Sequence, residues 1–455
     1  MMPFQKPTFA KLPFRTEVGY GVGDYGLNLF WQGINFYLFF FYTDVMGLQS
    51  GLAGTLVALG GIWDAFSDPL MGVIAERTRS RWGAYRPYVL FGSLPLAFSF
   101  ALTFYVPGFI PTEWLWLYAF ATLILFKTCY TVVSIPYSTL GARMSTDGRE
   151  RIRLSGVRMY FGFLGGVSVI ALADLFQTAP EYGNTYFPVA VACGVISIIA
   201  LVACFRGTSA AVSRRIASET GPTISETLKA LVKNRAFLHI TGATMSVTVA
   251  NTIISATMLY VFTHGTGDFD AGQKALFIMA GMPLLTIPFW ASVALRLGKK
   301  TTWHVACGIA VMGLALLYLA LPAASSVPAL AACAVLAFGT SAHGVLFWGM
   351  LPDTVEYGET ATGVRNESSI FGMVSAGQKL ALAGAAFVTG LLLEVIGYQA
   401  GTQATQATTE GLVLLITVLP AGGILCSALF VRLYPVSARS HLRATAQLQA
   451  REESL

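Results

Sequence analysis

Two aspartates, Asp64 and Asp68, stand four residues apart in ALGGIWDAFSDPLMG, residues 58–72, a stretch that is otherwise apolar. In a helix that spacing puts both carboxylates on one face. An ionised acid facing lipid costs about 2.5–3.5 kcal/mol on insertion scales, so such pairs turn to a bundle interior or wet cavity and serve ion or proton paths. Pro69 follows directly and has no N–H for the carbonyl of Ala65, which frees a further hard oxygen beside the acids. Ser67 and Thr131 add hydroxyls, giving Asp64, Ser67, Asp68 and Thr131 as the candidate cation-binding set, with Asp64 and Asp68 as metal ligands if the ion is Na⁺. The plainer alternative is that both acids only pair with buried bases such as Lys127 or Lys379.

The elements that position these acids follow from composition. The 455-residue chain is 55% hydrophobic and only 11% charged, with a mean hydropathy of +0.63, which excludes a soluble globule of this size. Apolar segments long enough to cross a core of about 30 Å recur at 18–44, 50–74, 87–107, 113–141, 156–177, 185–206, 236–263, 272–296, 301–321, 327–351, 367–394 and 411–433. The predicted fold class is therefore an all-α membrane protein with twelve transmembrane helices. An even number puts both termini on one side. Arg77, Arg79, Arg81, Arg86, Arg143, Arg149, Arg151 and Arg153 crowd the even-numbered loops, whereas the opposite loops hold only Lys274, so those loops and both termini are expected to be cytoplasmic. The net charge of +6 is thus a topology signal and not a nucleic-acid patch. The six cysteines lie singly in predicted spans without metal-ligand spacing and read as packing residues. The basic N-terminus leads straight into a full-length span, with no cleavable signal peptide visible.

The polar stretch 207–233 divides the spans six and six, and Thr223–Glu226 within it reads as a capping box for a short surface helix. The expected domains are a six-helix bundle at 1–206, a linker at 207–233, a second six-helix bundle at 234–434 and a cytoplasmic tail at 435–455. Duplicated bundles of this kind place a binding site between the halves near the midplane. Four spans carry polar stripes that fit such a site: Asp24, Asn28, Trp31 and Asn35; Lys127, Thr131, Ser134 and Ser138; Thr244, Thr248, Asn251 and Ser255; and Ser368, Gly372, Ser375 and Lys379. Stripes holding Asp24, Lys127 or Lys379 are expected to line water, because a charge in a packed seam is costly. Candidate solute-binding residues are Asp24, Asn28, Trp31, Lys127, Ser134, Arg158, Asn251 and Lys379. The loop ERTRSRWGAYRP, residues 76–87, anchors topology and can also gate by pairing with acids across the cytoplasmic mouth; Arg77, Arg81 and Arg149, with Asp353 and Glu356, are the gating candidates. Gly21-x-Gly23-x-x-Gly26 matches a dinucleotide fingerprint in letters but opens a membrane helix without a preceding strand, so nucleotide binding is set aside.

The combination GYGVGDYG, YTDVMG, WDAFSDPLMG, RTRSRWGAYRP, IPYSTL, DGRER and LPDTVEYGE resembles the melibiose-carrier family, the glycoside–pentoside–hexuronide:cation symporters of the major facilitator superfamily. The resemblance spans nearly the whole chain. It implies the major facilitator fold, a multi-pass protein of the bacterial inner membrane, and alternating access coupled to H⁺, Na⁺ or Li⁺. Its helix-two acid pair matches Asp64 and Asp68, its helix-four threonine Thr131, its helix-five arginine Arg158 and its helix-eleven lysine Lys379. Where the melibiose carrier has sugar-binding carboxylates this chain has Asn28 and Ser134, and Ser138 replaces a tryptophan, which points away from a galactoside. Asp24 and Lys127 stand where that carrier has small residues.

The resulting expectation is a cation-coupled symporter, not an enzyme, that acts as a monomer in the lipid bilayer on a small polar solute: a sugar, glycoside or uronate. No cofactor is expected beyond the coupling ion, with H⁺ favoured over Na⁺ because Lys127 offers the acids an internal counter-ion. Three bases against three acids, with a bound cation added, point to an anionic solute. A lysolipid symporter of the same fold, whose cavity would extend into an apolar lateral cleft, and a transporter-like sensor stay open as alternatives.

Overall fold

The structure is a computed structural model that describes residues 12–144, 148–176, 186–209, 231–322, 326–362, 367–399 and 404–436. Among the described residues these α-helices run in chain order: α1 (Phe14–Gly33), α2 (Ser50–Arg77), α3 (Arg86–Phe91), α4 (Ser93–Thr103), α5 (Leu115–Met144), α6 (Gly148–Phe176), α7 (Tyr186–Gly207), α8 (Arg235–Tyr260), α9 (Phe269–Leu297), α10 (Lys299–Ala320), α11 (Ser326–Thr362), α12 (Glu367–Val395) and α13 (Gln406–Leu433). No strand occurs among the described residues.

Ten of these helices are long and apolar enough to cross a membrane. The other two passes differ for local reasons. Glu17, Asp24 and Asn28 lower the apolar character of α1, which continues as π-helical turns at Ile34–Leu38 and Phe41–Val45. The third predicted span is nicked at Gly92 into α3 and α4. Pro95, in the first turn of α4, has no N–H for the carbonyl of Phe91. Of the predicted linker only its flanks are described, and its capping box lies outside the described residues.

α1 packs on α6 and α7, α4 on α5 and α7, and α2 on α5; α8 packs on α12 and α13, and α11 on α9 and α10. The two groups of helices meet where α2 contacts α12 and where α6 contacts α9. The first of these seams is tight. A Cβ on Gly54 would lie 2.9 Å from the carbonyl oxygen of Ala386, and one on Gly390 only 2.5 Å from that of Ser50.

Candidate functional site

Three acid–base pairs join α1, α2, α5, α6 and α12, each between two different helices. Lys127 Nζ of α5 donates to Asp64 Oδ2 of α2 at 2.7 Å, and both side chains are buried. Arg158 Nε donates to Asp24 Oδ1 at 2.7 Å, and Asn28 Nδ2 donates to Asp24 Oδ2 at 3.0 Å. Lys379 of α12 pairs with Asp68 of α2, so this bridge links the two helix groups. Thr131 Oγ1 donates to the other Asp68 oxygen at 2.8 Å, and Ser67 Oγ lies 3.3 Å from Thr131 Oγ1.

The candidate cation set is thus brought together, with Lys127 and Lys379 seated on its two acids. Asp64 Oδ1 is buried with no hydrogen-bond partner among the described residues. The expectation that Asp24 and Lys127 line water is corrected: Asp24 is 6% exposed and Lys127 5%, each buried against an opposite charge that offsets part of the desolvation cost. Trp31 serves the buried pair, stacking on Tyr130 at 5.8 Å with Lys127 Nζ 5.4 Å from its ring. Ser134 sits half-buried on the same helix as Lys127 and takes no part in these pairs. Small residues admit the Asp24 cluster: a Cβ on Gly162 would fall 2.8 Å from Asp24 Oδ2.

A cavity of about 300 Å³ opens beside these pairs, between α1 and α6 on one side and α8, α9, α11 and α12 on the other. Asn251, Gln32 and Gln378 are among the residues that line it.

At the end of the bundle remote from the basic loops, the helix groups are latched. Asp44 Oδ1 accepts from Tyr398 Oη at 2.5 Å and lies 3.1 Å from His264 Nε2, while Thr43 Oγ1 meets Tyr260 Oη at 2.5 Å. Burial and then the Asp44 carboxylate push the Tyr398 phenol far above its ordinary range, so it stays protonated and donates. Tyr37 Oη donates to Gln273 Oε1 at 2.7 Å at the same end. Towards the basic end, a Cβ on Gly72 of α2 or on Gly372 of α12 would meet nothing within 4 Å. Sequence reasoning missed this latch. Its signal was YTDVMG, read only as part of a resemblance, with His264 at the very edge of a predicted span.

Of the gating candidates, Arg77 and Arg81 are exposed, and Arg81 lies 4.2 Å over the Trp82 ring. Asp353 pairs with Lys299 at 2.7 Å, and Glu356 is half-buried on the same helix as Asp353. The Arg149 side chain lies outside the described residues.

The tight seam gives a prediction. Leucine at Gly54 cannot fit against the Ala386 carbonyl, so Gly54→Leu is expected to hold the latched end apart. In a cysteine-free background, labelling of Asn251→Cys by an impermeant maleimide from that end should rise several-fold; unchanged labelling counts against the seam as a closing surface.

Residues 19–438 match the model of the family described as MFS/sugar transport protein. The chain belongs to that family. It is 29% identical over 450 residues to an uncharacterized symporter, YnaJ, of Bacillus subtilis (strain 168), covering 97% of this chain and 96% of the relative. It is 27% identical over 456 residues to a glucuronide carrier protein homolog of Escherichia coli (strain K12), covering 97% of each. Its identity to an isoprimeverose transporter of Lactiplantibacillus pentosus is 28% over 431 residues, covering 93% of this chain and 89% of the relative. Among solved structures, a bacterial homologue of human drug peptide transporters superposes with a TM-score of 0.66 at 11% identity, over 92% of this chain and 98% of the other. A bacterial homolog of the human lysosomal transporter Spinster gives 0.64 at 12% identity, over 96% and 99%. The architecture is the major facilitator fold of an all-α, multi-pass membrane protein.

Proposed function

We propose that the protein is a cation-coupled symporter of a sugar-type solute, with its basic end cytoplasmic and the conformation described here open inward. The observation that carries this reading is the Asp68–Lys379 bridge between the two helix groups. An uncompensated carboxylate at mid-membrane is costly, so the empty carrier needs a resident cation before it can turn over. Lys379 supplies that charge after the transported cation has left. When a cation sits on Asp68, Lys379 is released, and the seam between α2 and α12 is free to rearrange. Solute and cation then favour the same conformations without touching each other.

The ion is a proton in this reading. The cluster offers two carboxylates, already occupied by ammonium groups, and two hydroxyls. A proton can toggle either pair by neutralising its acid, whereas Na⁺ has to displace a lysine and gather several oxygens. The names of the relatives, a glucuronide carrier homolog and an isoprimeverose transporter, support a sugar or uronate as solute.

The test is uptake of radiolabelled sugars and uronates into proteoliposomes under separate H⁺ and Na⁺ gradients. Uphill uptake under an inward proton gradient, at equal Na⁺ on both sides, is the expected result. Strict Na⁺ dependence at constant pH, without response to a proton gradient, overturns the assignment of the ion. Saturable binding with no uptake under either gradient overturns transport in favour of a sensor.

A further inference from the structure

His264 sits in the latch, and the hydrogen bonds around it fix where its proton lies. Tyr398 Oη has a single hydrogen, which it gives to Asp44 Oδ1 at 2.5 Å, so towards His264 Nε2, 3.0 Å away, it can only accept. Asp44 Oδ1, 3.1 Å from the same nitrogen, is an acceptor as well. Nε2 therefore carries the hydrogen, and neutral His264 keeps Nδ1 as its basic atom. Nδ1 has no hydrogen-bond partner among the described residues, so a second proton can enter there without breaking any bond of the latch.

The members of this cluster come from opposite sides of the seam. Asp44 lies in the π-helical end of the first pass, whereas His264 lies in that of α8 and Tyr398 follows α12. When the helix groups part at this end, Asp44 loses both donors and keeps only Thr43 Oγ1, its own neighbour, at 2.7 Å. A charge on His264 thus acts on Asp44 in the closed arrangement. The other titratable groups on the surrounding elements are engaged elsewhere. Tyr260, on α8 itself, meets Thr43 Oγ1, and Tyr186 of α7 packs its ring on Phe41 and Phe104. At the start of α9, Asp268 accepts from the Ala271 N–H and Ser326 Oγ, while Asp270 pairs with Lys274. Glu410 of α13 accepts from Gln406, and Glu394 of α12 lies against Gly51 of α2.

We propose that His264 makes the latch responsive to protons on its own side of the membrane: acid turns the His264–Asp44 contact from a neutral hydrogen bond into a charge-assisted one and holds that end shut, and rising pH releases it. An imidazolium draws a carboxylate more strongly than an imidazole does. The added hold is present in acid and is lost between about pH 5 and 8, where histidine changes charge. The inference rests on the symport reading only in requiring that this end opens during turnover.

The test uses right-side-out membrane vesicles with the internal pH clamped, carrying Asn251→Cys in a cysteine-free background. An impermeant maleimide is added at external pH values from about 5 to about 8. Dividing the labelling rate by that of the same protein with His264→Gln, which keeps a neutral donor, cancels the titration of the thiol itself. The quotient should rise about fivefold from acid to base, the step from a charge-assisted to a neutral hydrogen bond. Asp44→Asn, which leaves His264 in place but removes the charge it acts on, should serve as an equivalent reference and gives the same rise if His264→Gln fails to insert. A level quotient shows that His264 does not control the latch. A falling one shows that acid opens this end, by protonating Asp44; either result overturns the proposal. If Asn251→Cys is not labelled from this side at any pH in any of these proteins, the end does not open, and the symport reading falls and takes this inference with it.

Discussion

Asp68→Asn is expected to abolish uphill, cation-driven accumulation while leaving exchange of solute across the membrane intact. Asparagine keeps the shape of the carboxyl group and can still accept from Thr131 Oγ1, which lies 2.8 Å from Asp68 Oδ1 in the native protein. It cannot hold Lys379 electrostatically or take up a cation, so the seam between the helix groups behaves as though permanently loaded. A protein in that state can carry labelled solute in against unlabelled solute going out, since neither step needs the ion to leave. It cannot use an ion gradient, because nothing is carried with the solute. Accumulation in proteoliposomes should therefore fall to the equilibration level, with counterflow retained and insertion unchanged. Normal uphill uptake by Asp68→Asn shows that the cation is held elsewhere. Loss of counterflow as well shows that the Asp68–Lys379 bridge is a structural clamp and not a substitute for the cation.

The helices and their polar faces were legible in the sequence because the bilayer imposes one rule on every span: apolar outside, with polar groups only where they meet protein or water. That rule marked Asp24, Asp64, Asp68, Lys127 and Lys379 as inward-facing. It does not say which acid meets which base. Pairing depends on how α2 is rotated against α5 and α12, and this is set by contacts such as Gly61 on Ala383, where a Cβ would come within 2.5 Å of the Ala383 Cβ, that no single-helix pattern contains. The separation of the acid pair into one partner within its own helix group and one across the seam was thus out of reach. The π-helical ends were equally hidden. Phe41–Val45 closes α1 and Val261–Thr266 closes α8, and both lead into the latch. An inserted residue in a helical turn leaves no mark on hydrophobic periodicity, so Asp44 and His264 read as loop-edge residues.

The pairing also changes the reason for expecting an anionic solute. Counting charges gave three bases and three acids with a cation to spare, yet each base is taken by an acid, so the empty site is balanced. On the proposed mechanism the excess arises only on loading, when the coupling cation on Asp68 frees the Lys379 ammonium. Arg158 bonds Asp24 through Nε alone, leaving the Nη edge of the guanidinium for a second partner, and its side chain is 40% exposed. A planar fork held in place by one carboxylate is suited to grip another with two hydrogen bonds. The expected result is that a uronate competes for uptake better than the matched neutral sugar, and that Arg158→Gln removes this preference by about 10–100-fold, the worth of one or two charge-assisted bonds. Arg158→Lys separates the roles. Lysine still compensates Asp24, so protein level and orientation should be kept, but without the fork the uronate preference should fall most of the way to that of Arg158→Gln. If both variants keep the preference for uronate, the anion is held by another base, with Lys379 next in line. A clear preference for the neutral sugar, unchanged in Arg158→Gln, makes the Asp24–Arg158 pair structural and the solute uncharged.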